Sequence, residues 1–199
     1  MQYMGGSFVE LIKRSDDMKT LVLYASPHKD RNTGKLLDSF LKGYNKDVDI
    51  IDLYNLNIKP CVDCGYCKDN VGRCLIDDDM IDIYRKIENS DNIIIAAPMY
   101  FGMIPSVLKL VIDRSQMIWN KKNKFKIKSI SKKKGVLLFT AGAEWNDMFF
   151  AMELICKYFF NTIGCEIVTR IYANNTDVID VEHNYKLLEY AFREGKCFC

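Results

Sequence analysis

Four of the eight cysteines of the chain fall within fourteen residues, in Cys61-Val62-Asp63-Cys64-Gly65-Tyr66-Cys67 and then Cys74, with the spacing C-x2-C-x2-C-x6-C. Thiolates are soft ligands that select zinc or iron–sulfur clusters. Two-residue gaps let successive sulfurs converge on one centre while the intervening backbone turns around it. Structural zinc sites usually join two C-x-x-C pairs from separated knuckles, whereas C-x2-C-x2-C with a further cysteine is the ferredoxin-like way of wrapping a four-iron cubane. Disulfides are disfavoured, because four thiols this close cannot all pair comfortably and the chain lacks the other marks of a small secreted domain. Cys61, Cys64, Cys67 and Cys74 therefore read as a ligand set, for iron–sulfur first and zinc second, with an unmetallated loop as the remaining reading.

The loop that carries the array needs a scaffold, and the apolar runs around it supply one. Thr20 to Ala25 and Asn92 to Ala97 are apolar almost throughout, as expected of strands buried on both faces of a parallel sheet. Val48 to Leu53, Gly135 to Thr140 and Cys165 to Tyr172 complete a set of five predicted strands. Between them, helices are predicted after Asn32-Thr33, over Met80 to Ile87, from Val107 past Asp113-Arg114, over Phe149 to Phe160, and over Glu182 to Arg193. Strands alternating with helices argue for βαβ units, right-handed crossovers and an α/β doubly wound sheet. In the flavodoxin-like order 2-1-3-4-5, the carboxyl ends of strands one and three flank the switch point where a ligand sits. The polar loop Ser26-Pro27-His28-Lys29-Asp30-Arg31-Asn32-Thr33 follows strand one directly and opens a helix, whose N-terminus favours an anion such as a nucleotide phosphate. Ordinary helix capping by Ser, Asn or Thr explains the same residues less ambitiously.

At 199 residues and 49% apolar composition the chain suffices for one domain with one core. Its net charge of +2 gives no global field, which argues against nucleic acid and against a membrane surface as partners. No stretch approaches the roughly 20 apolar residues of a membrane span. Residues 1–18 form an N-terminal extension with scattered charges and no apolar run, unlike a signal peptide, and a cytosolic, reducing location is expected. Back-translated with A/T-biased codons, Lys13 to Met18 contain a ribosome-binding sequence suitably spaced before an ATG. Translation from Met18 is thus an alternative to a genuine N-terminal arm, leaving residues 19–199 as the domain and 59–78 as its cysteine-rich loop.

Other features have plain readings. Lys121 to Lys134 holds eight lysines and is expected to be a solvated loop, with a docking patch for an acidic electron carrier as the alternative. Trp119 and Trp145 stand near the loops after strands three and four, where they line the site or pack in a core or interface. Cys156 and Cys165 are expected to be buried packing residues. Cys197-Phe198-Cys199 is expected to be a mobile tail, and His183 a surface residue.

Three loops together resemble the NAD(P)H-dependent FMN reductases of the flavodoxin fold, and with the cysteine array they resemble their iron–sulfur flavoprotein branch. The resemblance covers roughly Lys19 to Tyr172. Ser-Pro-His-Lys-Asp-Arg-Asn-Thr looks like the family's phosphate loop, which implies that Ser26, His28, Asn32 and Thr33 contact the FMN phosphate. His28 stands where the family usually has Arg, and Arg31 where it has Gly. A neutral His is a weaker phosphate partner than a guanidinium fork, although Arg31 can supply charge three residues on. FMN affinity is therefore expected to be modest and to weaken as His28 loses its proton. Pro98, Met99, Tyr100, Phe101, Gly102 and Met103 look like the isoalloxazine loop, and Thr140, Ala141 and Gly142 like the third flavin contact. The array followed by Asp78-Asp79-Met80 looks like the branch's compact cluster motif, implying a [4Fe-4S] cluster on the four cysteines.

The resemblance implies an oxidoreductase in which the flavin does the bond-making and needs no catalytic triad. NAD(P)H or a ferredoxin-type carrier would donate electrons, and the protein would be a homodimer or homotetramer. The rival readings are a plain FMN or quinone reductase without a cluster, and a zinc-holding regulatory module.

Overall fold

The computed structural model describes residues 18–127 and 132–198. Met18, the proposed start, is the first described residue; the rest of the N-terminal extension, residues 1–17, as well as Lys128 and Cys199, lies outside the described residues. The strands are β1 (Thr20–Tyr24), β2 (Val48–Asp52), β3 (Asn92–Pro98), β4 (Lys133–Thr140) and β5 (Cys165–Ala173), all parallel and ordered β2-β1-β3-β4-β5 as expected. β3 is central because it can be buried on both faces. Alternate side chains of each central strand enter different cores. Leu21, Leu23, Ile93, Ile95, Leu137 and Phe139 join one apolar cluster, and Val22, Tyr24, Ile94, Ala96, Val136 and Leu138 join the other. The edge strands are less buried than the central ones: Ile50 on β2 and Val168 on β5 are exposed, since an edge strand is covered incompletely.

The helices are α1 (Asn32–Tyr44), α2 (Tyr66–Asp69), α3 (Met80–Asn89), α4 (Ser106–Arg114), α5 (Gln116–Asn123), α6 (Phe150–Ile163) and α7 (Tyr185–Cys197). α3 and α6 contribute Met80, Ile83, Met152, Cys156 and Phe159 to the first cluster, while α1 and α7 contribute Leu36, Phe40, Tyr44 and Ala191 to the second. α1 and α7 meet backbone to backbone, for a Cβ on Gly43 would stand 1.9 Å from the Phe192 carbonyl oxygen and one on Gly195 2.0 Å from that of Phe40.

Several sequence expectations are corrected. α5 has a weak apolar periodicity and was not expected. The closing helix starts three residues late, because Asn184 caps it by accepting from the Leu187 N–H at 3.2 Å, and Val181–His183 form a separate 3-10 turn. The expected mobile tail is partly an ordered plug: Cys197 ends α7, and Phe198 is buried against Phe40 and Tyr44 at centroid distances of 5.8 and 5.5 Å. Burial of a large ring outweighs the ordering entropy that an exposed tail would keep. Lys133 is no solvated lysine either. It is buried, and its ammonium donates to the Ser90 carbonyl and to Glu88 O at 3.1 Å, at the negative end of α3. Lys121, Lys122 and Lys124 are pinned to Glu88, the Asn161 carbonyl, and Asp69 with the Lys68 carbonyl. Cys156, Cys165 and His183 lie as expected, the first two buried and the last exposed.

Candidate functional site

Parallel strands deliver their following loops to one edge of the sheet, so the loops after β1, β3 and β4 are neighbours whatever their sequences. The first is folded by short-range side-chain bonds to its own backbone and by one ion pair. Tyr24 Oη donates to His28 O at 2.8 Å, the Ser26 hydroxyl donates to the same carbonyl at 3.3 Å and accepts the His28 N–H at 3.4 Å, and Lys29 pairs with Asp52 at 3.0 Å. Gly34 is required where the loop folds back over α1, since a Cβ there would stand 1.7 Å from the Lys29 carbonyl oxygen. Arg31 is the N-cap residue, with no side-chain cap bond and no acidic residue in the first turn, so the positive end of α1 is left for an anion. The less ambitious capping reading therefore fails here. Asn32 is spent differently from the expectation, as its Oδ1 accepts the Val181 N–H at 2.8 Å. Ser26 and Thr33 are buried, and His28 and Arg31 are exposed.

Thr33 and Thr140, expected in separate loops, share a buried hydroxyl contact of 2.7 Å that ties the loop after β1 to the end of β4. The Met99 N–H donates to Thr140 O at 2.7 Å and joins the second loop to the third. Beyond it, Tyr100 and Met103 exchange N–H···O bonds of 2.9 and 3.0 Å around Phe101 (φ 50°) and Gly102 (φ 75°), a two-residue turn with two positive φ values. Phe101 is fully exposed at the tip, an aromatic in the left-handed region, where such a residue is strained. The third loop is locked by a segment that sequence reading missed. The carbonyls of Ala141, Gly142 and Ala143 accept N–H groups of Thr176, Asp177 and Asn175 at 3.0, 3.1 and 2.9 Å, and the Asp177 carboxylate occupies the space a Gly142 side chain would need. The run Asn174-Asn175-Thr176-Asp177 after β5 was the available signal.

The cysteine loop leaves the 3-10 turn Leu53–Asn55 after β2 and runs to α3. One buried ion pair closes both of its ends. The Arg114 guanidinium donates to Asp78 Oδ2 at 2.7 Å and Oδ1 at 3.1 Å, to Lys59 O at 2.9 Å and to Ile76 O at 3.1 Å. Asp78 in turn accepts the Lys59 N–H at 2.9 Å and the Met80 N–H at 3.1 Å. Burial alone would raise the Asp78 carboxyl, but the hydrogen bonds from Arg114, Lys59 and Met80 together outweigh it and hold the carboxyl below the usual carboxylate range. Tyr84 Oη fixes α4 from below by donating to Arg114 O at 2.6 Å. The sequence had placed Arg114 on a helix without giving it a role.

All four thiols, Cys61, Cys64, Cys67 and Cys74, line one cavity, together with Leu75, Ile76, Met117 and Arg114. Cys61 and Cys64 are exposed, whereas Cys67 and Cys74 are half-buried and pack against the first core cluster. Gly65 (φ 78°) turns the chain into α2, on which Cys67 sits. Asn120 Nδ2 donates to Cys67 Sγ at 3.2 Å. The thiols are spread, with no three of them within 4.8 Å of one another; among the described residues, the one ligand-type triplet that close is the exposed Asp180, Glu182 and His183. A tetrahedral zinc with sulfurs at 2.3 Å needs them about 3.8 Å apart. A spread set of thiols suits a cluster, which offers each thiolate its own iron, better than a single zinc ion. Arg114 agrees with such a guest, since its Nε is the one buried side-chain nitrogen or oxygen among the described residues without a hydrogen-bond partner.

Tyr54 lies in the 3-10 turn that precedes the cysteine loop. Burial raises its hydroxyl above the usual phenol range, and a hydrogen bond to Tyr100 adds to the effect. Trp119 and Trp145 are both about half exposed, at 46% and 50%, so neither is a core residue.

Comparison with known proteins agrees with this architecture. Residues 18–154 match the family model described as NADPH-dependent FMN reductase. An iron-sulfur flavoprotein of Methanosarcina thermophila is 38% identical over 107 residues, covering 52% of this chain and 56% of its own length. An iron-sulfur flavoprotein of Methanocaldococcus jannaschii is 33% identical over 102 residues, covering 50% and 52%. The chain thus spans about half the length of the curated relatives it matches. Among solved structures, an NAD(P)H:quinone oxidoreductase from Methanothermobacter marburgensis superposes with a TM-score of 0.70 at 18% identity, over 91% of this chain and 96% of that one, a likeness of fold.

Proposed function

Since the chain belongs to the NADPH-dependent FMN reductase family, we propose that it is an FMN-dependent oxidoreductase that also holds a [4Fe-4S] cluster on Cys61, Cys64, Cys67 and Cys74. Electrons would come from NAD(P)H or a ferredoxin-type carrier. The observation that carries the reading is the presence of two sites in one fold: an uncapped α1 N-terminus tied to the loops of β3 and β4, and a cavity lined by four thiols in the loop after β2. The relatives named as iron-sulfur flavoproteins support the second half of it.

When bound, FMN accepts a hydride and releases electrons singly, while the cluster carries one electron at a time. The chain's residues bind, orient and shield. The N–H groups at the start of α1 face the phosphate, with Ser26 and Thr33 offering the unused capacity of their hydroxyls and with His28 and Arg31 exposed at the rim. The hairpin of Pro98, Met99, Tyr100, Phe101, Gly102 and Met103 presents an aromatic wall to the ring. Of Thr140, Ala141 and Gly142, the last would turn its N–H to the polar edge, since the Ala141 N–H already donates to the Ala173 carbonyl at 2.8 Å.

Self-association as a homodimer or homotetramer is part of the proposal, supported by exposed Trp145, Phe150, Leu154 and Tyr158 near the site. No helix among the described residues is long and apolar enough to cross a membrane, and persistent thiolates suit a reducing, cytosolic setting.

The test is an absorption spectrum and iron assay on protein purified without oxygen, with and without Cys64→Ala. Flavin bands on a broad absorbance that the substitution removes, with about four irons per chain, are expected. Flavin bands alone, with no iron and no effect of the substitution, would reduce the protein to a plain FMN or quinone reductase.

A further inference from the structure

Asn120 is a buried amide on α5, and its side chain is aimed at the sulfur of Cys67, one of the four cavity thiols. A thiolate accepts and cannot donate, so the amide must present its N–H end, as it does to Cys67 Sγ at 3.2 Å. The contact is not left to chance. α5 is braced on three sides by Lys121 to Glu88, Lys122 to the Asn161 carbonyl, and Lys124 to both Asp69 and the Lys68 carbonyl. The last brace grips α2, the turn that carries Cys67, so donor and acceptor are fixed to one another at both ends. A neutral thiol is a weak acceptor and would return little for burying an amide, whereas a metal-bound thiolate is a strong one.

Resting on the four-iron reading above, we infer that Asn120 is a positioning residue that sets the reduction potential of the cluster through Cys67. Hydrogen bonds to cluster sulfurs and the groups around the ligands tune such potentials. The donor draws electron density from the thiolate and favours the reduced cluster, which holds one more electron and accepts the bond more strongly. Cys67 is also the half-buried ligand on the side of the core, where the local dielectric enlarges the effect. The exposed ligands Cys61 and Cys64 face water, which supplies donors of its own.

The experiment is a mediated redox titration of the one-electron cluster couple in anaerobically purified holoprotein, read by electron paramagnetic resonance of the reduced cluster. Asn120→Leu keeps the shape and removes the donor, and Asn120→Gln keeps a donor on a longer arm. With iron per chain unchanged, Asn120→Leu is expected to lower the reduced-to-oxidised ratio at fixed potential about tenfold, a shift of about 59 mV for one electron. Asn120→Gln should recover part of it. An unchanged midpoint in an iron-replete Asn120→Leu protein overturns the inference. Should that variant lose its cluster, the wild type decides. Its iron–thiolate stretching bands must shift between H2O and D2O if an exchangeable N–H binds the sulfur, and bands that do not move overturn the inference. Absence of iron from the wild type would instead overturn the cluster reading itself, a separate result from the same samples.

Discussion

The flavin edge and the cysteine cavity are built in opposite ways. At the edge, the loops after β3 and β4 are tied by main chain to main chain: Met99 to Thr140, Tyr100 to Met103, and Ala141, Gly142 and Ala143 to residues 175–177. Backbone groups hold those two loops, so most side chains there are free to serve a ligand. The cavity lies in a twenty-residue loop with one short helical turn of its own, and side chains from distant helices hold it, above all Arg114 and Asn120. A site made of backbone tolerates substitution, whereas a site closed by one ion pair depends on that pair.

The largest expected effect follows from breaking the closure. Arg114→Met leaves Asp78 buried and unpaired, which costs about 3–5 kcal/mol. Urea unfolding should show that loss, and limited proteolysis should cut within residues 59–78 while the loops at the flavin edge stay protected. Equal protection of both regions in the variant would show that the cavity does not hang on Arg114.

An intermediate effect comes from acid. The Asp78 carboxyl is held below its unfolded value, so its contribution is complete above the ordinary carboxylate range and is lost as pH falls through the lowered folded value. The stability difference between wild type and Arg114→Met should therefore be constant near neutrality and shrink in acid below about pH 4. A difference that grows in acid would contradict the assignment.

The smallest effect sharpens the comparison from the other side. Phe101→Asn replaces an exposed aromatic at positive φ with a residue that tolerates the left-handed region, and should stabilise the flavin-free protein by about 0.5–1 kcal/mol. The same change should weaken FMN binding, measured by flavin fluorescence, because the ring loses its wall. Tighter FMN binding by the variant would show that the aromatic tip serves something else.

Legibility in the sequence followed the range of the interactions. The runs Thr-Leu-Val-Leu-Tyr and Asn-Ile-Ile-Ile-Ala-Ala declared buried parallel strands, and polar or glycine-containing loops straight after β1, β3 and β4 declared a ligand edge. α5 was invisible because Gln116 to Asn123 lacks a regular apolar stripe; it is held by lysines whose partners are 33 to 56 residues away in the chain. Phe198 looked like a tail because nothing local says that Phe40 and Tyr44 wait for it across a glycine-lined helix crossing. The Thr33–Thr140 pair, 107 residues apart, and the spending of Asn32 on Val181 were hidden for the same reason.

By itself, the sequence determined the five strands of a parallel sheet and the presence of four closely spaced thiols, because hydrophobic periodicity and ligand spacing are local properties that any fold must respect; the strand order came with the likeness to the flavodoxin fold. Only the tertiary structure decided that the thiols share one cavity, that Arg114 locks it and that an amide from α5 reaches Cys67. Those contacts join segments whose sequences do not refer to one another, and each exists only because packing the two cores brings a buried donor within reach of an acceptor that would otherwise go unsatisfied.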